Sequence, residues 1–193
     1  MGQYYRIVLK QGNKKPLIND FDIEGMGARD WIGVKLLEHA YYGNNAVDAV
    51  AQLITRHPTR IIWCGDYAED EEIKALTKGK LSYEDIYPKE DKQMFILPKV
   101  KGTYNYKSKY LINHDKKLFV SLLKVKKDSQ SFPEDTNPIS PIPLLTALGN
   151  GRGSGDYEGE NMEFVGTWAW DRIEILSRVP DGYKELNVAF MEG

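Results

Sequence analysis

The residues best suited to chemistry lie in a glycine-rich run at positions 149–161, which reads Gly-Asn-Gly-Arg-Gly-Ser-Gly-Asp-Tyr-Glu-Gly-Glu-Asn. Glycine adopts backbone conformations closed to other residues and lets another group approach the main chain. Successive N–H groups in such a turn can point at one anion, and an arginine adds a planar fork for phosphate or carboxylate. The run therefore predicts a cradle for a phosphate-bearing ligand. Its expected members are Gly151, Arg152, Gly153, Ser154, Gly155, Asp156 and Tyr157.

A second interpretation of this run is a tight surface turn, which Arg152 would hold closed by pairing with Asp156 or Glu158. Two nucleotide motifs are excluded. The dinucleotide fingerprint fails because Ser154 stands where its last glycine belongs and no amphipathic helix follows. The nucleotide-hydrolysing P-loop fails because Asp156-Tyr157 replaces the required Lys-Ser or Lys-Thr pair.

Three carboxylates in the run, Asp156, Glu158 and Glu160, occupy alternate positions and would share one side of an extended segment. Crowded carboxylates can hold a hard cation, but the glycine at position 159 comes too early for a calcium-binding loop. Solvated charge is the favoured interpretation, and neither a metal nor a cofactor is expected.

A second candidate group is the segment Trp63-Cys64-Gly65-Asp66-Tyr67, which ends a short apolar run. A carboxylate just after a strand often orients a ligand, so Asp66 is a candidate, although it could equally cap the helix that follows. The rings of Trp63, Tyr67 or Tyr157 could stack on a nucleotide base. Cys64 lies in the apolar run, which favours an inert buried thiol.

The three histidines are scattered, and none has the spacing of a zinc-binding helix. His39 has apolar and aromatic neighbours, which fits a general base or, more simply, a core histidine bonded to the main chain. If His39, Asp66 and Asp156 converged, they would favour a metal-assisted hydrolase. These three are the weak catalytic candidates, and whether the protein is an enzyme stays open.

Composition indicates one folded domain spanning residues 1–193, with 41% hydrophobic and 28% charged residues. Lys plus Arg total 26 against 28 for Asp plus Glu, so the whole chain has no positive field to attract nucleic acid or an anionic membrane. The lysines of residues 99–127 alternate with Tyr104, Tyr106 and Tyr110, a pattern that suits either a strand of nucleic acid or, preferably, a solvated face. Nucleic acid is therefore disfavoured as a partner.

The single cysteine excludes an internal disulfide framework and fits a reducing compartment. Neither a secretion signal nor a stretch long enough to span a bilayer is found, so we expect a cytoplasmic protein without a membrane partner. Assembly into a homo-oligomer stays open.

Local patterns predict strands at residues 3–10, 33–42, 59–64, 166–176 and 183–190, and a hairpin from residue 110 to residue 123. They predict helices after an Asn44 or Asn45 cap and at residues 69–78. Four prolines in residues 127–143 predict an extended loop. The expected fold is α+β, with a mainly antiparallel sheet, one main amphipathic helix and a long Pro/Gly-rich loop.

Several segments together resemble a family of small uncharacterised proteins from bacteria and their phages. The matching pieces are Met-Gly-Gln-Tyr-Tyr at 1–5, Lys-Leu-Leu-Glu-His at 35–39 with Gly-Asn at 43–44, Trp63 with Gly-Asp-Tyr-Ala at 65–68, Leu-Leu-Thr at 144–146, Gly-Asn-Gly-Arg-Gly at 149–153 with Gly-Asp-Tyr at 155–157, and Val-Gly at 165–166 with Trp-Ala at 168–169. Residues 71 to about 100 have no counterpart, and Ser154 and Cys64 stand where relatives have glycine and alanine. The resemblance implies an intracellular, often phage-borne protein and supplies no activity.

Three hypotheses follow, in order of preference. The first is an accessory protein that binds a phosphate-bearing, nucleotide-like small molecule through the glycine-rich loop, by analogy with phage proteins that counter host defence. The second is a protein-binding inhibitor that uses the proline-rich loop around Pro133 and Pro143 to hold a host protein. The third is the metal-assisted hydrolase.

Overall fold

The structure is a computed structural model, and it describes residues 2–23, 35–89, 95–128 and 138–191. Nine strands lie within these residues: β1 (Tyr5–Gln11), β2 (Leu17–Ile23), β3 (Thr59–Gly65), β4 (Phe95–Leu97), β5 (Tyr110–Asn113), β6 (Leu118–Ser121), β7 (Ala147–Leu148), β8 (Arg172–Leu176) and β9 (Lys184–Glu185). The α-helices of the same residues are α1 (Leu36–His39), α2 (Asn45–Leu53), α3 (Asp70–Thr77), α4 (Tyr83–Ile86), α5 (Leu122–Asp128) and α6 (Pro141–Leu145).

All nine strands join one sheet in the order β4-β2-β1-β3-β8-β5-β6-β9, with β7 also paired to β3. The longer strands pair antiparallel, whereas β4, β7 and β9, of two or three residues each, add parallel pairs. The expectation of an α+β fold is confirmed, but the sheet is mixed and the expectation of a mainly antiparallel one is wrong. Each short strand follows its parallel partner after a long connection. Parallel pairing requires such a connection, because a tight hairpin can join only antiparallel strands.

Helices pack on both faces of the sheet because the side chains of a strand alternate between the two faces. Tyr5 and Ile7 of β1 point into the larger core, which α2 and α6 cover. Val8 points the other way, into a smaller core that it shares with Ile62 of β3 and Ile73 of α3. The central strands β1 and β3 are thus enclosed by apolar side chains on both sides.

Five predicted elements are confirmed, of which the first is the N-terminal strand predicted at residues 3–10, observed as β1. The side chain of Asn44 caps α2, accepting hydrogen bonds from the N–H groups of Ala46 and Val47 at 2.9 and 3.4 Å. The buried strand after residue 59 is β3, the helix predicted at 69–78 is α3, and the hairpin is β5 with β6. The end of the second apolar run differs, because Leu122 begins α5 instead of continuing the strand.

Other predicted elements are corrected. In the described part of residues 33–42 the chain forms the short helix α1, not a strand, and Leu37 N–H is bonded to the carbonyl of Gly155. Of residues 166–176 only β8 is extended, because the turn before it has positive φ at Gly166 and Trp170. Of residues 183–190 only β9 is a strand.

The predicted loop at 127–143 is described only in part, because residues 129–137, and with them Pro133, lie outside the described residues. Its end is helical: Ser140 caps α6 and Pro141 occupies the first turn, where a missing N–H is tolerated. Pro138, Pro141 and Pro143 are all buried. The prolines thus help to start a buried helix instead of extending a surface loop.

Substituting the α2 cap provides a test of this part of the fold. Asn44→Ala should lower the free energy of unfolding by about 1 kcal/mol, because two N–H groups at the helix start lose their acceptor. Asn44→Ser keeps an acceptor oxygen and should stay within about 0.5 kcal/mol of the wild type. Urea denaturation measures both, and an equal loss in the two variants would contradict the role of the cap.

Candidate functional site

Asp156 occupies the centre of the glycine-rich loop. Its Oδ2 accepts hydrogen bonds from the N–H groups of Gly151, Arg152 and Gly153 at 2.7, 2.7 and 2.9 Å. Its Oδ1 accepts a 2.6 Å hydrogen bond from the hydroxyl of Tyr5, and the residue is only 2% exposed. The predicted ring of amides therefore exists, and the anion that it holds is a carboxylate of the same chain.

The glycines of the loop are needed for this geometry. Gly151 has φ +90°, a conformation that strains residues with a side chain. Gly153 lies against Gln3, two residues before β1, and a Cβ on it would come within 2.6 Å of the Cβ of Gln3. The alternation of glycine in the sequence therefore serves the close approach of the loop to the N-terminal strand.

The carbonyl groups of the loop fasten it to two other elements. The carbonyl of Ser154 accepts a 2.9 Å hydrogen bond from the N–H of Gln3, and that of Gly155 accepts one of 3.0 Å from Leu37 in α1. Together with the bond from Tyr5, these contacts hold the start of the chain and α1 to the loop. The cradle is a structural junction.

Arg152 points its guanidinium group toward α3. It makes a bidentate ion pair with Glu72 at 2.8 and 2.5 Å and donates a 3.0 Å hydrogen bond to the carbonyl of Tyr67. The hydrogen bonds from Arg152 hold the pKa of Glu72 below its usual value. The expected pairing of Arg152 with Asp156 or Glu158 is thus wrong, because Asp156 is turned inward to the amides and Glu158 is exposed.

The aromatic rings proposed to stack on a base are largely occupied. Trp63 and Tyr157 are fully buried, and the Tyr157 ring packs edge-on against Phe190 at 5.6 Å between centroids. The Tyr157 hydroxyl lies 2.8 Å from the carbonyl of Met191. Tyr67 is half-buried. Neither Trp63 nor Tyr157 can therefore meet a ligand at the surface.

Asp66 binds the first strand instead of capping a helix. Its Oδ1 accepts a 3.1 Å hydrogen bond from the N–H of Tyr4, while Glu69 caps α3 in a reciprocal arrangement with Glu72. Burial raises the pKa of Asp66, the hydrogen bond from Tyr4 opposes that rise, and the negative charge of Asp156 adds to it. Asp66 is therefore a partly buried carboxylate that bonds to the main chain.

The three catalytic candidates do not form a metal site. The Nδ1 of His39 accepts a 3.2 Å hydrogen bond from the N–H of Lys35 at the start of α1, so His39 bonds to the main chain as one interpretation expected, but it is half-buried and not a core residue. Among the described residues, no group of three His, Cys, Asp or Glu side chains could hold a metal ion. Asp66 and Asp156 bind main-chain N–H groups, as detailed above, so convergence on a metal is not observed.

Two further predictions concern Cys64 and the lysine-rich stretch. Cys64 is fully buried, and burial raises the pKa of its thiol to about 12, as expected of an inert cysteine. Tyr106 is buried with its hydroxyl 2.6 Å from Asp48, and the Tyr104 hydroxyl contacts Thr55. These rings are directed inward and do not form a stacking platform along the lysines.

A cleft that sequence reasoning missed opens where α3 ends and β8 begins, beside the turn between β5 and β6. Its volume is about 350 Å³. It is lined by Arg60, Leu76, Thr77, Lys78, Lys80, Asp115, Ala169, Trp170 and Asp171. A sequence signal for it is the pair Lys78 and Lys80, at and just beyond the end of the helix predicted for residues 69–78.

The lining of the cleft carries three cations, Arg60, Lys78 and Lys80, against two carboxylates, Asp115 and Asp171, and Asp171 pairs with Lys116. Asp115 pairs with both Arg60 and Arg172, at 3.1 and 2.7 Å. Burial alone would raise the pKa of Asp115, but hydrogen bonds from Arg172 and the charges of both arginines leave it lowered. Lys78 and Lys80 are exposed and make no ion pair with any described residue. The cleft therefore presents the ammonium groups of Lys78 and Lys80, and beside them two guanidinium groups, those of Arg60 and Arg172, that share the carboxylate of Asp115.

Trp170 forms a wall of the cleft in an uncommon backbone conformation. Its φ is +61°, which is sterically disfavoured for a bulky L-residue by about 1–2 kcal/mol. Its N–H is bonded to the carbonyl of Ile61 and its carbonyl accepts a 2.6 Å hydrogen bond from Arg60. Such strain persists where surrounding contacts impose it and is concentrated at functional sites.

Comparison of the chain with protein-family models, curated proteins and solved structures finds no match in any of the three. Within the described residues, no helix is both long enough and apolar enough to cross a lipid bilayer.

Removal of the central carboxylate tests the junction. Asp156→Ala should lower the free energy of unfolding by about 3 kcal/mol or more, because three N–H groups and the Tyr5 hydroxyl lose their partner in a buried place. Asp156→Asn retains one acceptor oxygen and should lose less. The matched control is the exposed Glu158→Ala, expected within about 0.5 kcal/mol of the wild type. Equal urea midpoints for the two alanine variants would refute the junction.

The raised pKa of Asp66 predicts that the difference in stability between Asp66→Asn and the wild type depends on pH. A carboxylate with a raised pKa binds a proton more tightly in the folded state, so its contribution to stability is present at low pH and lost as pH rises. Asp66→Asn keeps an acceptor for Tyr4 and should therefore gain stability relative to wild type between about pH 4 and pH 7. Urea denaturation across this range measures the trend, with the exposed Asp181→Asn as control. The prediction is contradicted if the free energy of unfolding of Asp66→Asn relative to wild type stays constant or falls as the pH rises.

Proposed function

We propose that this protein binds a phosphate-bearing, nucleotide-like small molecule, and that the ligand sits in the cleft between α3 and β8. The observation that carries the proposal is a concave site lined by two exposed lysines, Lys78 and Lys80, that make no ion pair with any described residue, in a chain whose net charge is −2. Lys78 and Lys80 supply mobile ammonium groups, and Arg60 adds a guanidinium on the cleft wall. Oxyanions are the ligands that such a set recognises.

The size and lining of the cleft suit a small ligand. A volume of about 350 Å³ falls in the lower part of the range of small-molecule sites. Leu76, Ala169 and Trp170 add apolar atoms to the lining, although Ala169 and Trp170 are only 7% and 6% exposed, so a molecule with an apolar part and an anionic part suits this cleft. A nucleotide has both parts.

The glycine-rich loop is not the phosphate site in this proposal. A phosphate could reach the amides of Gly151 and Gly153 only by expelling Asp156, whose buried carboxylate also holds the Tyr5 hydroxyl. The expelled group would leave a buried hydroxyl without its partner. The loop instead supports the cleft indirectly, because Arg152 bonds to Glu72 of α3, the helix whose C-terminal end carries Lys78.

A second concavity, of about 300 Å³, lies between the start of α5 and the segment after β9. Its cation, Lys124, already contacts Glu185 and Asn187. An incoming anion would have to compete with these partners, so the cleft beside α3 is preferred.

The biological setting belongs to the proposal as well. The resemblance to bacterial and phage proteins suggests a cytoplasmic accessory protein, and binding of a nucleotide signal is one way in which such a protein can counter host defence. The alternative, a protein-binding inhibitor built on the proline-rich loop, has less support, because Pro138, Pro141 and Pro143 are buried around α6.

Thermal unfolding with AMP, ATP or a cyclic dinucleotide tests the proposal. At least one of these ligands should raise the midpoint of the wild type by about 5 °C or more at saturation. The double variant Lys78→Glu/Lys80→Glu should lose this shift, because two attractive charges become repulsive. The control Lys101→Glu/Lys107→Glu makes the same change of charge at exposed lysines away from the cleft and should keep it. Equal shifts in both double variants, or none in the wild type, would overturn the proposal.

A further inference from the structure

Three side chains next to the cleft form a hydrogen-bonded relay. The Nδ1 of His114 lies 3.0 Å from the hydroxyl of Tyr183, and its Nε2 lies 2.8 Å from Oε2 of Glu174. His114 follows β5, Glu174 lies in β8, and Tyr183 immediately precedes β9. The His114 and Glu174 side chains are only 21% and 10% exposed.

One tautomer of His114 satisfies both of its partners. A carboxylate accepts hydrogen bonds, so in the tautomer with the proton on Nε2 the ring donates to Glu174. The bare Nδ1 of His114 then accepts the hydrogen bond of the Tyr183 hydroxyl. This is the order of a nucleophile, a base and a group that orients the base.

The relay adjoins the cationic end of the cleft. The N–H of His114 donates a 2.9 Å hydrogen bond to the carbonyl of Arg172, and the next residue, Asp115, lines the cleft. Asp115 also holds the guanidinium groups of Arg60 and Arg172. The ring of Tyr183 packs edge-on against that of His114, with 6.0 Å between their centroids, so the relay stands beside the residue whose main chain bonds to Arg172.

We infer that the protein is a phosphodiesterase in which Tyr183 attacks phosphorus, His114 accepts the phenolic proton and Glu174 positions the imidazole. This inference rests on the proposed function, because the phosphate must be held by the cations of the cleft. Arg60 bonds to Asp115 through Nη1 and Arg172 through Nε and Nη2, so each retains further N–H groups to stabilise charge on the phosphoryl oxygens. The substrate class is a phosphodiester, which has an alcohol as its leaving group.

The reaction balances with water as the co-reactant. In the first step the bond between Tyr183 Oη and phosphorus forms while the bond from phosphorus to the leaving alkoxide breaks. The phenolic proton passes to His114, and the alkoxide takes a proton from water, which leaves hydroxide. In the second step water attacks phosphorus, the bond to Tyr183 breaks, and His114 returns the proton to the phenolate. The proton released by the attacking water neutralises the hydroxide, so one water is consumed and a phosphomonoester and an alcohol are formed.

The full chain with bis(p-nitrophenyl) phosphate as substrate tests this inference, with release of p-nitrophenolate followed by absorbance. Tyr183→Phe should lose turnover by about 100-fold or more, because the nucleophile is gone while the ring is kept. Tyr110→Phe is the control, since this half-buried tyrosine makes an edge contact with Phe119 and should retain wild-type turnover. His114→Ala should lose turnover by a similar factor and regain part of it when imidazole is added. A side chain that only tied the segment before β9 to the sheet would show no such rescue.

Intact-mass spectrometry of the wild type during turnover should detect a phosphoryl adduct, and Tyr183→Phe should lack it. The inference is overturned if the wild type releases no p-nitrophenolate, if Tyr183→Phe keeps turnover within about twofold of wild type, or if imidazole fails to rescue His114→Ala. The thermal shift with nucleotides separates the two proposals. A wild type that is stabilised by a nucleotide but has no turnover retains the binding function and loses the reaction, whereas absence of both defeats both.

Discussion

The carboxylate of Asp156 is the interaction on which the architecture depends. It is buried, so its charge must be balanced by hydrogen bonds, and three main-chain N–H groups and the Tyr5 hydroxyl supply them. Those partners determine the path of the glycine-rich loop and its distance from β1. From the loop, Arg152 reaches Glu72 of α3. One ionised group thus links the first strand to the helix that borders the cleft.

Local sequence patterns predicted the elements whose signals are local. The Asn44 cap, the apolar strand β3 and the hairpin of β5 with β6 each depend on neighbours within about ten residues. The glycine-rich nest was predicted in the same way, but its occupant was not. The three amides come just before Asp156, and a short carboxylate side chain often bonds to nearby main-chain N–H groups. The short distance along the chain between these amides and Asp156 is the signal that could have predicted Asp156 as the occupant of the nest.

Features that depend on distant parts of the chain could not be predicted in this way. The strand β2 contains two acidic residues, a type that is uncommon in strands, and β4 has only three residues, so both depend on pairing with neighbouring strands. The cleft gathers Arg60, Lys78, Asp115 and Trp170 from four separate stretches, and each looks ordinary in its own neighbourhood. The positive φ of Trp170 contradicts the local preference for a strand and arises only from its contacts to β3.

The bond between Tyr5 and Asp156 joins residues 151 positions apart. During synthesis, the strand that contains Tyr5 leaves the ribosome long before its acidic partner exists, although β3 can pair with it much earlier. The Tyr5 hydroxyl therefore lacks its acceptor until the last third of the chain has been translated. Contacts of such long range slow folding, so maturation of this chain should be late and should depend on an intact C-terminal region.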